Sequence, residues 1–563
     1  MSRVEVTKEA LVAAEAIVGV TYTEAERAQV SDTFAPLVDA AVARRAILLP
    51  NELPRACRFD PRLPGWSLPA PISFEIPREI EATLPDSDED IAFASVAEQA
   101  RWIKSGQLSS TRLTEIYLDR ITRFDPEITA IVTVTEELAR KQANSADELL
   151  RQGTYLGPLH GIPYGLKDLF DTAGIPTTWG AEPYRERVPG RDARVTQLLA
   201  AAGAVLLAKT STGALAYGDF WFGGKTINPW NPAEGSSGSS AGSCAATAAA
   251  LMSFSIGSET LGSITSPCHR CGTTGLRPTF GRVSRAGAMT LCWSLDKVGP
   301  ICRTVEDTAL VLNAINGFDE ADPGSIGVPL GCESSTDVTG MRVGYDPAWF
   351  DNEFATDTDR AALRAVEELG VKLVELSFPD LPYDSFLGVL YAEAAAAFED
   401  LTLTGRDDEL SRQDVWAWPN IFRRARFLTA IDQIQLDRLR YRLMVLMDDM
   451  FNSVDAMIGP VLPGPMLMIT NMTGHPALVL RAGLKESRMR VGPSIWTGRV
   501  ELERETDEGP KVEVPYGIAL YAGLFEERML FKLGMALQSK LDVYRRRPNL
   551  DALESSSASV MQQ

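Results

Sequence analysis

Gly161-Ile-Pro-Tyr-Gly-Leu-Lys167-Asp168 is the stretch on which the fold turns. It is a short apolar run that ends in a lysine, and Gly161–Leu166 reads as a buried strand. A lysine entering an apolar run is unusual, because burying an ammonium is expensive. Burial depresses a lysine's pKa, which is how lysine becomes a general base. On residue type alone, the bland alternative is a solvated surface lysine.

Working outward, residues 155–320 alternate short apolar runs with helical stretches. Ala204–Ala208 reads as a second strand; Asp192–Ala202 and Ala245–Met252 read as helices. Strands alternating with helices predict an α/β architecture. Residues 340–345 and 371–376 repeat the theme on either side of a helix, and 385–450 is mostly helical. Upstream, residues 1–50 read as helical: Thr23 and Glu26 have capping-box spacing, and Phe34, Leu37, Val38, Ala41 and Val42 follow at helical intervals. Residues 51–90 are rich in proline and acidic residues and read as an extended connector. Ser95 and Glu98 again have capping-box spacing. A helix over 110–123 is expected to end at Asp125-Pro126. The organisation is therefore a helical extension with connector (1–85), one large unit (86–550) and a disordered tail (551–563).

The totals exclude some functions. With 55 basic and 75 acidic residues among 563, the net charge is 55 − 75 = −20. Such an acidic surface argues against nucleic acid and anionic membrane as partners. Glu9 and Glu15 interrupt the first apolar stretch, so no secretory signal is read. No uncharged apolar window reaches the roughly 18 residues of a spanning helix. Seven sparse cysteines fit a reduced, cytoplasmic protein.

Two further stretches carry chemistry. Gly235-Ser-Ser-Gly-Ser-Ser-Ala-Gly-Ser243 has the composition of a flexible linker. It runs straight into an alanine-rich apolar helix, which a linker would not do, and it lacks the phosphate-loop pattern. Gly257-Ser-Glu-Thr-Leu-Gly-Ser-Ile264 is a small-residue turn presenting a serine, and consecutive N–H groups in such a turn can form an oxyanion hole. By itself it could be any strand-to-helix turn. The only histidines are His160, His269 and His475. None is well placed for a Ser-His-Asp triad, although His269 is six residues past Ser263. No H-E-x-x-H or comparable metal cluster is present. Cys268 and Cys271 have C-x-x-C spacing without a second pair to complete a zinc site.

Together these stretches resemble the amidase signature family. The lysine strand 161–168, the serine loop Ser237–Ser243 and the turn 257–264 match in order and spacing. The flanks Asn228–Pro232, Cys271–Ser284 and Ser294–Pro300 continue the match, and the resemblance covers roughly residues 90–550. It implies a central mixed β-sheet covered by helices on both faces, with the N-terminal helices as an extension. It also implies an amide hydrolase with no cofactor and no metal, acting on a small-molecule amide. Carried over, Lys167 is the base, Ser239 the bridging serine held by a cis peptide, and Ser263 the nucleophile. The N–H groups of Thr260, Leu261, Gly262 and Ser263 would form the oxyanion hole. The separation 263 − 239 = 24 selects Ser239 over Ser236.

Some positions depart from the family pattern. Glu259 replaces an aspartate, and Leu261 replaces a glycine, which is costly if that position needs φ > 0. Thr265 stands where an arginine is frequent, so Glu259 would need another partner, Arg270 or Arg277. Ser237 and Ala241 replace glycines. A runner-up function sharing this signature is the glutamine-amidase subunit of a tRNA-dependent amidotransferase; a third is a non-catalytic binding protein. Substrate choice is expected to lie in 380–425, with Trp416 and Trp418, and in 480–515. The N-terminal helices are a packing extension, a lid or the contact of a homodimer.

Overall fold

The computed structural model describes residues 6–75, 83–462, 464–491, 504–507 and 509–551. Parts of the connector (76–82), of the 480–515 segment (492–503, 508) and of the tail (552–563) lie outside the described residues, as does residue 463.

Eleven strands form one mixed sheet. In chain order they are β1 (Ile131–Val134), β2 (Pro163–Lys167), β3 (Val205–Thr210), β4 (Phe254–Glu259), β5 (Thr274–Arg277), β6 (Lys297–Cys302), β7 (Arg342–Tyr345), β8 (Lys372–Glu375), β9 (Ala456–Pro460), β10 (Ala477–Ser487) and β11 (Val512–Tyr521). Their spatial order is β1-β3-β2-β4-β6-β5-β10-β11-β9-β7-β8. β3, β2 and β4 are mutually parallel. Strands covered on both faces lose polar alternation, and every residue of β2 and β3 is buried. That is why Gly161–Leu166 reads as a run. Leu166 pairs in register with Ile256. Lys167 and Glu259 therefore both end their strands on one edge of the sheet, the C-terminal edge where α/β sheets hold ligands.

Among the helices are α1 (Lys8–Val18), α2 (Glu24–Arg45), α3 (Ser110–Ile128), α4 (Ala241–Ala248), α5 (Thr265–Cys271), α6 (Leu387–Ala397), α7 (Ala430–Ser453) and α8 (Met466–Thr473). The capping boxes at Thr23/Glu26 and Ser95/Glu98 are both formed.

Two helix boundaries differ from the expectation. α3 runs through Asp125-Pro126 to Ile128. Phe124 and Ile128 are buried at helical spacing, and a proline in the last turn forfeits only one backbone bond, so packing outweighs it. The helix stops at Thr129, whose φ is 55° and whose N–H donates to the Asp125 carbonyl at 2.7 Å. α4 spans 241–248, not 245–252. All eight of its residues are buried, so tertiary packing overrides the poor helix propensity of Gly242 and Ser243.

The N-terminal helices are fastened to the main body at their exit. Arg44 donates to both oxygens of Glu399 at 2.6 and 2.7 Å. Arg55 pairs with the buried Glu393 at 2.5 Å. Asn51 exchanges hydrogen bonds with the Thr290 backbone at 2.8 and 2.9 Å and donates to the Ala397 carbonyl at 3.2 Å. Among the described residues no helix is long and apolar enough to cross a membrane.

Candidate active site

Lys167 is the centre of the site. Its side chain is 0% exposed. Nζ donates to Ser239 Oγ at 2.8 Å, Ser258 Oγ at 3.0 Å and Ser240 Oγ at 3.1 Å, and contacts the Ser258 carbonyl at 3.3 Å. These acceptors are neutral. Burial therefore dominates and brings the pKa down to about 7, with Asp296 and Glu259 among the groups pulling the other way.

Ser239 arrives on the loop before α4, and the Gly238–Ser239 peptide is cis. Only glycine fits at 238, because a Cβ there would sit 1.9 Å from the Gly218 carbonyl oxygen. Ser237, in place of a family glycine, takes φ 62°, while Ala241 lies in the first turn of α4. The Ser240 N–H donates to the Ser263 carbonyl at 3.0 Å, which ties the serine loop to the turn after β4. The structure thus brings Lys167 and Ser239 into direct contact and ties the backbone of Ser263 to Ser240, the residue after Ser239. Ser236, the rejected candidate, turns away and donates to the Ser237 carbonyl at 2.9 Å.

The turn Thr260–Ile264 is shaped by Glu259. Its Oε2 accepts from the N–H groups of Ile264 and Thr265, both at 2.9 Å, and from Thr265 Oγ1 at 3.1 Å. Its Oε1 meets Arg277 at 2.7 Å and Asn471 Nδ2 at 2.9 Å. Burial alone would raise this carboxyl. Arg277 and the Thr265 N–H outweigh it and hold the pKa at about 2. Arg277 is thus the partner that the turn lacks at Thr265, whereas Arg270 donates to the Arg490 carbonyl at 3.0 Å and lies 3.7 Å from Glu234. Leu261 needs no left-handed backbone; Gly262 takes it, at φ 92°. The N–H groups of Thr260, Leu261, Gly262 and Ser263 have no acceptor among the described residues. Four donors in succession, with Ser263 only 8% exposed, suit an oxyanion in a nearly dry turn.

Two cavities flank this turn. One, of about 310 Å³, is lined by Ser258, Thr260 and Asp296, and by Glu52 and Pro54 of the connector. Asp296 accepts from Thr260 Oγ1 at 2.6 Å. The other, of about 730 Å³, is lined by Leu261.

The histidines are occupied elsewhere. His160 Nε2 contacts the Ala146 carbonyl at 2.9 Å, His269 Nδ1 accepts from the Gly517 N–H at 3.0 Å, and His475 bonds Thr473 at 2.8 Å. Burial and Arg277 push the His475 pKa down to about 3. Cys268 faces Cys244, with sulfurs 3.5 Å apart, and Cys271 faces the Ser236 carbonyl. Among the described residues no group of three His, Cys, Asp or Glu side chains is placed to hold a metal ion. Trp418 is packing: it stacks on Phe422 at 5.1 Å and donates to the Leu215 carbonyl at 3.0 Å. Trp416 is half-buried, with Arg424 over its ring.

Sequence reading missed Ser240 and Ser258 as partners of Lys167, and Asn471 as a partner of Glu259. Ser258 was legible in principle, because it immediately precedes Glu259 in the quoted turn. Asn471 is 212 residues from Glu259 and leaves no local signal.

The Amidase family model matches residues 112–530. The chain belongs to the Amidase family. It is an enzyme that hydrolyses the carbon–nitrogen bond of a carboxylic amide. An amidase of Pseudomonas putida is 36% identical over 380 residues, which is 66% of this chain and 80% of that one. A glutamyl-tRNA(Gln) amidotransferase subunit of Prochlorococcus marinus is 30% identical over 504 residues, 80% of this chain and 98% of the relative. The X-ray structure of the native peptide amidase from Stenotrophomonas maltophilia superposes with a TM-score of 0.66 at 26% identity, covering 81% of this chain and 99% of that one. These likenesses agree with the mixed sheet and with helices packed around it.

Proposed function

We propose that the chain is a serine amidase acting on linear, non-peptide amides, with Ser263 as nucleophile, Ser239 as bridge and Lys167 as base. The observation that carries this is a fully buried lysine in hydrogen-bond contact with Ser239 at 2.8 Å. A serine hydroxyl is a poor nucleophile until a base takes its proton. Neutral Lys167 takes the Ser239 proton as Ser239 takes that of Ser263. Ser263 Oγ bonds to the carbonyl carbon, and the oxygen gains its charge against the N–H groups of Thr260–Ser263. Lys167 returns its proton to Ser239, Ser239 protonates the leaving nitrogen, and the C–N bond breaks. Water then attacks the acyl-enzyme, giving up its proton through the same relay, and releases the acid.

Amides, anilides, esters and carbamates tested side by side measure the range. Turnover of some amide by the wild type and none by Ser263→Ala and Lys167→Ala is expected; full activity in either variant contradicts the assignment.

The second reading, the glutaminase component of a tRNA-dependent amidotransferase, is favoured by the likeness to glutamyl-tRNA(Gln) amidotransferase relatives. Glutamine hydrolysis only in the presence of partner subunits supports it; hydrolysis of simple amides by the isolated chain opposes it. Large apolar residues exposed along α1 and α2, among them Val12, Ile17, Leu37 and Val42, support a homodimer, which light scattering tests. The seven free cysteines support a cytoplasmic setting.

A further inference from the structure

Leu261 links the oxyanion turn to a cavity. Its N–H is one of the four donors with no acceptor among the described residues, and the residue lines the cavity of about 730 Å³. That volume is in the range of small-molecule sites. The remaining wall comes from three separate parts of the chain: Asp346 and Trp349, residues 378–384, and Leu462, Gly464, Pro465, Leu467 and Met468. Trp349 and Phe378 lie 4.9 Å apart with a 34° tilt, and Leu467 and Met468 add to the apolar surface.

The charge of this wall is one-sided. Asp346, Asp380 and Asp384 line it, and no lysine or arginine does. None of the three carboxylates forms an ion pair among the described residues. Asp346 caps the following helix by accepting from the Ala348 N–H at 2.9 Å; Asp380 and Asp384 are exposed. Aromatic faces favour a cation over an anion, and unpaired carboxylates do the same. Leu261 thus belongs both to the turn of N–H donors and to the wall of this cavity.

We propose that the cavity receives the apolar arm of the amide substrate and that this arm carries a positive charge, an ammonium or guanidinium, at its tip. The proposal rests on Ser263 as the nucleophile. The substrate class is thus an aryl or alkyl amide with a cationic end, and anionic amides are disfavoured.

The test compares isosteric amides in two series: phenylacetamides with a para aminomethyl, ethyl or carboxyl group, and acetanilides with the same para groups. In at least one series kcat/KM for the aminomethyl amide should exceed that for the ethyl amide by about fivefold, the worth of an exposed ion pair, with the carboxyl amide slowest. In the double variant Asp380→Asn, Asp384→Asn the aminomethyl-to-ethyl ratio should fall at least about twofold, with Asp346 alone left to favour the cation. Turnover without charge discrimination in both series overturns the proposal alone. So does a ratio that survives in the double variant, and so does an absence of turnover in a chain whose Ser263 takes a fluorophosphonate. No turnover together with an unlabelled Ser263 overturns the nucleophile assignment as well.

Discussion

Glu259 and Arg277 face each other at 2.7 Å with both side chains fully buried. The pair lies behind the turn rather than in it: one carboxylate oxygen holds Arg277 and Asn471, and the other holds the N–H groups that close the turn carrying Ser263. Removing one partner leaves a buried charge uncompensated, at a cost of about 3–5 kcal/mol. Arg277→Met should therefore lower the melting temperature and kcat together. Thermal unfolding alongside kinetics checks this; an unchanged kcat in a folded variant would detach the pair from the turn.

The same pair sets an acid limit. The carboxyl sits at about 2 in the folded chain against an ordinary value of 4.5. A depressed carboxyl contributes stability above its unfolded pKa, and that stability is lost as pH falls through the folded value. The window is pH 4.5 down to about 2, and the amount is about 3 kcal/mol by the usual 1.4 kcal/mol per unit. Chemical denaturation across that window measures it, with Glu259→Gln expected to show a shallower dependence.

Lys167 gives the opposite dependence in activity. Below its pKa of about 7 it is an ammonium and cannot take the Ser239 proton, so kcat/KM should fall as pH drops through 7 and level off above it. Lys167→Met should remove turnover while keeping the fold, because an apolar side chain of similar length suits that buried position. A pH profile flat between 5 and 9 would contradict a lysine base.

Asn51 tests the connector. It locks the segment holding Glu52 and Pro54, which wall the cavity next to Thr260, onto Thr290 and Ala397. Asn51→Ala should cost about 1–2 kcal/mol in stability and change KM more than kcat. Unaltered kinetics on every amide would make the connector mere packing.

No step of the proposed relay uses a metal, so turnover should be unchanged after exhaustive treatment with chelator. A steep loss, restored by adding back a divalent ion, would contradict the relay.

The sequence carried the site further than it carried its support. The contact of Lys167 with Ser239 is legible because each residue sits in a short stretch whose order and spacing are local properties. Capping boxes at Thr23 and Ser95 are legible for the same reason. The start of α4 is not, because Gly242 and Ser243 are poor helix formers held in place by burial on every side. Nor is the end of α3, where packing of Ile128 overrides Pro126. Ser240 and Ser258 as partners of Lys167 depend on the parallel pairing of β2 with β4, and the link from Glu259 to Asn471 on the arrival of α8 from the far end of the chain. The feared strain at Leu261 is absent because Gly262 alone takes the left-handed conformation.

The central claim is that Ser263 is a nucleophile activated by Lys167. Mass spectrometry after exposure to a fluorophosphonate tests it most directly. The account predicts one adduct, on Ser263, absent in Ser263→Ala and formed far more slowly in Lys167→Ala. An active enzyme with no adduct on Ser263, or with the adduct on another serine, would contradict it.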